Sequence, residues 1–154
     1  MRAEGPATMT QECNCFAVRS AARHVTQLYD QHLAASGLRT TQFSILSKLE
    51  RNGPMTINRL AEEMATDRTT LGRNILPLAR DGLIRIAPAA HDRRAKELHL
   101  TATGAKRRQT ALKGWAEAQA RFEESFGRQR AAQLRNMLRA VVATDFTGAD
   151  RGQP

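Results

Sequence analysis

Two cysteines, Cys13 and Cys15, are all that the 154-residue chain has, too few and too close together for a disulfide framework. Stability must come from packing. No apolar run approaches the roughly 18 residues a bilayer crossing needs, and the opening MRAEGPATMTQE has no apolar core like that of a signal peptide. A cytoplasmic protein without a membrane partner is expected. Gly-rich phosphate loops, HExxH and GxSxG are absent, and His24, His32, His91 and His99 have no obvious nucleophile beside them. No spacing of Cys and His resembles a zinc module. The chain is therefore expected to be no enzyme, with no catalytic residues, metal or cofactor.

Positive charge is in excess: 24 Lys and Arg stand against 15 Asp and Glu, a net charge of +9 with a pI near 10.9. A polyanionic partner fits such a balance, although charge alone does not separate DNA, RNA and membrane surfaces. With 41% apolar residues and the length of about one domain, the chain can bury a core. It shows no internal repeat or low-complexity tract.

Apolar residues at 3–4 spacing (Val18, Ala21/Ala22, Val25, Leu28/Tyr29, Leu33) predict a long first helix from about Phe16 to Leu33. Thr40-Thr41 is placed to cap a second helix carrying Phe43, Ile45, Leu46 and Leu49, ended by Asn52-Gly53-Pro54. Thr56 is placed to cap a third over Ile57–Met64. After the Ala65-Thr66 turn, a fourth runs from Asp67 to Arg80 and stops at Asp81-Gly82. Leu83–Ala87 and Glu97–Thr101 read as two antiparallel strands around a polar HDRRAK tip. Thr101 or Thr103 then caps a long fifth helix to Phe126, and a sixth follows Gly127.

Helix, tight turn, helix and two-stranded hairpin is the order of a winged helix-turn-helix, whose second helix enters a major groove. The stretch from Thr56 to Gly104, above all Asp92-x-Arg94-x5-Leu100-Thr101-x2-Gly104, resembles the MarR family of bacterial transcription regulators. The expected fold is mainly α: a winged helix-turn-helix with long N- and C-terminal dimerisation helices and a two-stranded β wing. The lobe is expected over 38–101, the dimerisation helices over 12–37 and 102–146, and flexible tails over 1–11 and 147–154. The resemblance implies a homodimer on double-stranded DNA, more often a repressor than an activator.

On a helical wheel of the fourth helix, Leu71, Ile75, Leu78 and Ala79 share one side, with Thr66, Thr69, Thr70, Arg73 and Arg80 opposite. Any surface helix is amphipathic, but this outer side carries hydroxyls and cations with no acid beyond Asp67. The candidate DNA contacts are Thr66, Arg68, Thr69, Thr70, Arg73 and Asn74 from the helix, with Asp92, Arg93, Arg94 and Lys96 from the wing tip. Thr and Arg suit base edges and phosphates, and an Arg at the tip suits a narrow minor groove. The resemblance implies that Arg94 is inserted there and that Asp92 orients its guanidinium. Gly72 and Pro77 weaken the helix and predict a kink near Arg73; Gly72 serves either close approach to DNA or local packing. Only eight Lys and Arg against six acids lie between Met55 and Gly104, whereas Ala105 to Thr144 has nine against three. Lys106, Arg107 and Arg108 are candidates for extra phosphate contacts.

The terminal helices have apolar stripes that so small a winged domain cannot cover. Packing on a second copy follows, and a two-fold dimer implies a pseudo-palindromic operator. The resemblance further implies a small-molecule effector where the terminal helices meet the lobe. Arg19, Arg23, His24, Tyr29, Phe43 and Trp115 are candidates for binding it, and Arg beside aromatic walls suits an aromatic acid or thioester. Each also has a plainer reading as core, interface or surface charge. Cys13 and Cys15 leave open a redox-sensing regulator: two helical residues two apart point away from each other, which disfavours an internal disulfide, while Arg19 favours the Cys15 thiolate. A winged helix that binds only proteins, or RNA, is the remaining alternative.

Overall fold

A computed structural model describes residues 12–147. The expected tails, 1–11 and 147–154, lie outside the described residues except for Thr147. The elements are α1 (Asn14–Leu33), a 3-10 turn (Ala34–Ser36), α2 (Thr40–Asn52), β1 (Met55–Thr56), α3 (Ile57–Glu63), α4 (Arg68–Arg80), β2 (Ile84–Pro88), β3 (Lys96–Leu100), α5 (Ala102–Phe126) and α6 (Arg128–Ala143). They form two compact units, the first ending at Ala118 and the second beginning at Gln119.

Most boundaries fall where local chemistry places them. Thr56 accepts from the Arg59 N–H at the start of α3, and Asp67 accepts from the Thr70 N–H at the start of α4. The third and fourth helices therefore start at their side-chain caps. Gly82, at φ 70°, stops the turn after α4 in a left-handed conformation that costs an L side chain energy. Two starts differ from expectation. α1 begins earlier, at Asn14, because Cys13 Sγ accepts from the Phe16 N–H at 3.5 Å. α2 is not capped by its own threonines: its first residue is Thr40, whose N–H and hydroxyl both donate to Asp30 Oδ1 of α1, at 2.7 and 2.6 Å.

The sheet has three strands where two were expected. Its order is β1-β3-β2, all antiparallel, with Met55 opposite Leu98 and Ile84 opposite Leu100. The third strand, β1, is only two residues long and follows Pro54, too short to show alternation in sequence. It makes β3 the central strand, so that Leu98 is fully buried. Leu98 joins Phe43, Ile45, Leu46 and Leu49 of α2, Leu60 of α3, and Leu71, Ile75 and Leu78 of α4 in one core. Leu33 of α1 and Ala111 of α5 belong to the same core. Burying each leucine or isoleucine is worth about 1.5–3 kcal/mol.

The wing is clasped at its base. Thr101 Oγ1 lies 2.7 Å from the Gly82 carbonyl and 3.0 Å from that of Leu83, and accepts from the Gly104 N–H at 3.0 Å. The Thr101 N–H also donates to the Leu83 carbonyl, at 3.2 Å. A Cβ at Gly104 would overlap that same Leu83 oxygen and press on Leu100. Gly104→Ala therefore forces backbone apart, and is expected to lower stability by about 1–3 kcal/mol despite alanine's higher helix propensity. Urea unfolding measures this, and an unchanged midpoint would count against the clasp.

Candidate nucleic-acid interface

α4 presents its two sides as the wheel requires. Leu71, Ile75 and Leu78 are buried, while Thr69, Thr70, Arg73 and Arg80 are exposed. It follows α3 through a turn in which Ala65 takes a left-handed φ of 49°; its methyl is the smallest side chain that can occupy that region. The helix continues through Pro77, and Arg73 is exposed one turn before it. Gly72 has no packing duty: a Cβ there would meet nothing within 4 Å.

The cap of α4 uses some of the polar groups on this face. The Thr70 N–H donates to Asp67 Oδ1 at 2.8 Å and the Thr70 hydroxyl to Oδ2 at 2.7 Å. That hydroxyl, with the Thr70 amide, holds the Asp67 carboxyl below its ordinary value. The cap is thus complete at neutral pH, and its contribution is lost only as pH falls through the lowered value. Thr70 thereby spends its hydroxyl proton within the helix. Asn74 donates its amide to the Thr70 carbonyl at 3.1 Å. The side chains of Arg68, Thr69 and Arg73 are exposed and form no hydrogen bond or ion pair among the described residues.

The wing tip spans the loop between Pro88 and Lys96. The Ala89 N–H donates to the Ala95 carbonyl, and the Ala95 N–H to the Asp92 carbonyl. Asp92 Oδ1 accepts from the Arg94 backbone N–H at 2.9 Å. The carboxylate that was expected to orient the Arg94 guanidinium caps the turn backbone in this DNA-free structure, as Asp does when its side chain reaches two residues on. Among the described residues the two side chains form no ion pair, and the Arg93, Arg94 and Lys96 side chains are exposed.

Helix and wing meet across a cleft of about 450 Å³ lined by Arg68 of α4, by Asp92, Arg94 and Lys96 of the wing, and by Thr56, Ile57 and Asn58. Sequence reasoning missed Thr56 and Asn58. Thr56 reads there only as a helix cap; its second role follows from β1, which brings the start of α3 beside the wing through the pairing of Thr56 with Glu97. Arg107 and Arg108 do not extend this surface. Arg107 donates to the Ser36 carbonyl at 3.3 Å and Arg108 to Ser47 Oγ at 3.2 Å, so both guanidinium groups are turned onto their own chain. Lys106 is exposed.

A second cleft, about 320 Å³, lies between α2 and α5. Phe43 and Trp115 stack in it, with centroids 6.2 Å apart and planes at 24°. Ser44, Ser47, Lys48, Arg51, Arg108 and Leu112 complete its lining. Of the six residues expected to bind an effector, only these two aromatics come together here. Arg19, Arg23 and His24 are exposed on α1, where Arg23 bonds to Ser20, and Tyr29 is half-buried; none of the four lines this cleft. Lys48, Arg51 and Arg108 were not singled out for it, because α2 and α5 are about sixty residues apart in sequence. Cys13 and Cys15 are free and exposed. Among the described residues no cluster of His, Cys, Asp or Glu could hold a metal ion, and no helix is long and apolar enough to cross a membrane.

The geometry on α3, α4 and the wing can be set beside known proteins. The model of the MarR family matches residues 38–96. No curated protein sequence matches the chain. Among solved structures, the M. tuberculosis transcriptional regulator MosR is 35% identical, over 88% of this chain and 99% of that one, at a TM-score of 0.74. A second MosR structure, in complex with DNA, is 38% identical over 86% of this chain and 98% of its own, also at 0.74. The transcriptional repressor CouR, bound to a 23-mer DNA duplex, is 26% identical over 92% and 100% of the two chains, at 0.77. Similar at 35–38% identity over nearly the whole length of such regulators, and carrying their helix-turn-helix and wing, the chain belongs to the MarR family and is a DNA-binding transcriptional regulator, not an enzyme.

Proposed function

We propose that the protein is a homodimeric repressor that lays α4 into successive major grooves of a pseudo-palindromic operator and sets Arg94 of each wing in the adjoining minor groove. The observation that carries this is the set of unpaired cations, Arg68, Arg73, Arg93, Arg94 and Lys96, on α4 and the wing. Two acids on the same elements, Asp67 and Asp92, each accept from a backbone N–H of their own turn. A two-fold dimer spaces its recognition helices roughly 34 Å apart, one turn of the duplex. Exposed apolar side chains on the terminal helices support the dimer: Phe16 and Val18 on α1, and Met137, Leu138, Val141 and Val142 on α6.

The effector site in this reading is the cleft of Phe43 and Trp115. Stacked rings give a planar group a wall, and Arg51, with Arg108 held at the rim by the neutral Ser47 hydroxyl, offers positive charge to a carboxylate or phosphate, while Lys48 pairs with Glu63. No acid lines the cleft. An aromatic acid or its thioester fits that chemistry. Proteins of the same fold bind such molecules: CouR from Rhodococcus jostii RHA1 was solved with p-coumaroyl-CoA, and BpsR from Bordetella bronchiseptica is regulated by 6-hydroxynicotinic acid. Redox sensing is the second reading. Cys13 Sγ, free and exposed at the N-terminus of α1, accepts a backbone N–H.

Arg94→Ala is expected to weaken operator binding at least tenfold and to lower the salt slope by about one, while melting stays unchanged. Equal affinity of variant and parent in a salt titration would refute the wing's role. Arg73→Ala is expected either to relax base preference at one position or to weaken all duplexes alike, and competition between duplexes separates base from phosphate contact. Sedimentation at micromolar concentration should show a dimer; a monomer throughout would remove the two-fold operator. Trp115 is the only tryptophan, so its emission reports on the cleft. An aromatic carboxylate is expected to quench it saturably and release DNA, and Arg108→Gln to weaken that binding about tenfold. Release by peroxide instead, abolished in Cys13→Ser with Cys15→Ser, would favour the redox reading.

A further inference from the structure

One side chain on the outer face of α4 is not accounted for by charge. Leu76 is 67% exposed, whereas Leu71, Ile75 and Leu78 of the same helix are at 1–2%. It is also the most exposed large apolar residue between Leu38 and Leu100, ahead of Ile86 at 36%. At about 100° per residue, Leu76 lies on the outer side of the helix at the edge of the arc that holds Thr69, Arg80 and Arg73, about 20° from Thr69. Gly72 precedes it by four residues, which makes the two direct neighbours on the helix surface. Glycine weakens a helix interior, and no neighbour in this chain requires it, since a Cβ there would meet nothing within 4 Å. The pair thus forms a lone apolar projection beside a gap, in a setting of threonine and arginine.

A protein partner does not fit so small a patch, because stable interfaces bury about 800 Å² on each side around a cluster of apolar side chains. A DNA major groove does offer an isolated apolar group of matching size, the C5-methyl of thymine. We propose that Leu76 and the gap at Gly72 form a subsite for a thymine methyl, so that one thymine in each half-site is read by apolar contact while the neighbouring arginines engage phosphate or guanine. This rests on the reading of α4 as the helix that enters the major groove. Leu76 is then a specificity-determining residue, and Gly72 the position that lets the base edge come close.

The test uses duplexes that the full-length protein selects from a random library, with each thymine replaced in turn by uracil, which removes the methyl group and nothing else. At one position per half-site the parent is expected to lose affinity about fourfold, the worth of one buried methyl. Leu76→Ala should bind the thymine and uracil duplexes alike and melt as the parent does. Gly72→Ala should raise the melting temperature by about 2–4 °C, yet weaken binding to the thymine duplex and leave the uracil duplex unaffected. If no replacement matters more to the parent than to Leu76→Ala, the subsite does not exist, while the reading of α4 survives. If the protein selects no duplex, both fall.

Discussion

The wing can serve as a probe only if its base is fixed to the body of the protein, and Thr101 with Gly104 does this. One hydroxyl ties the end of the hairpin to its beginning at Gly82 and Leu83, and the same oxygen starts α5 by accepting the Gly104 N–H. The glycine brings the helix backbone against the Leu83 carbonyl, leaving no room for a Cβ. Strand, turn and helix are therefore locked at one point. The motif Leu100-Thr101-x2-Gly104 is in this sense mechanical, while Asp92-x-Arg94 shapes the far end of the same hairpin through a backbone hydrogen bond.

The free cations of α4 and the wing stand out because other cations nearby are already engaged. Arg59 and Lys48 both pair with Glu63, and Arg80 pairs with Asp81. Arg107 and Arg108 bond to Ser36 and Ser47. These pairings leave Arg68, Arg73, Arg93, Arg94 and Lys96 available to a polyanion on α4 and at the wing tip. Asp67 and Asp92 keep their negative charge, and each carboxylate accepts from a backbone N–H of its own turn. Acids in these places help build α4 and the wing tip.

A division of labour follows for the apolar residues. Those of α2, α3, α4 and β3 close into one core, with Leu33 and Ala111 attaching α1 and α5 to it. Those of α6 at Met137, Leu138, Val141 and Val142 stay exposed. The Phe43 and Trp115 stack stands between these roles: Phe43 is buried in the core, while Trp115 faces the cleft.

Whatever depends on residues within about four positions was legible in the sequence. Thr56, Asp67 and Gly82 mark the ends of α3 and α4 because a cap or a left-handed turn is a local event, and the 3.6-residue period assigns Leu71, Ile75 and Leu78 to the core. Gly72 is anomalous in the sequence, which does not show that its surroundings are open; the same period puts Leu76 on the outer side of α4, while its degree of exposure is set by what the rest of the fold covers. Approaches between distant segments were likewise decided only in three dimensions. Asp30 caps α2 from another helix, β1 pairs with β3 across some forty residues, and Arg107 and Arg108 turn inward onto Ser36 and Ser47. Local hydrogen bonds and periodicity are written along the chain; the partner of a side chain that reaches across the fold is chosen by packing, which no short window of sequence contains.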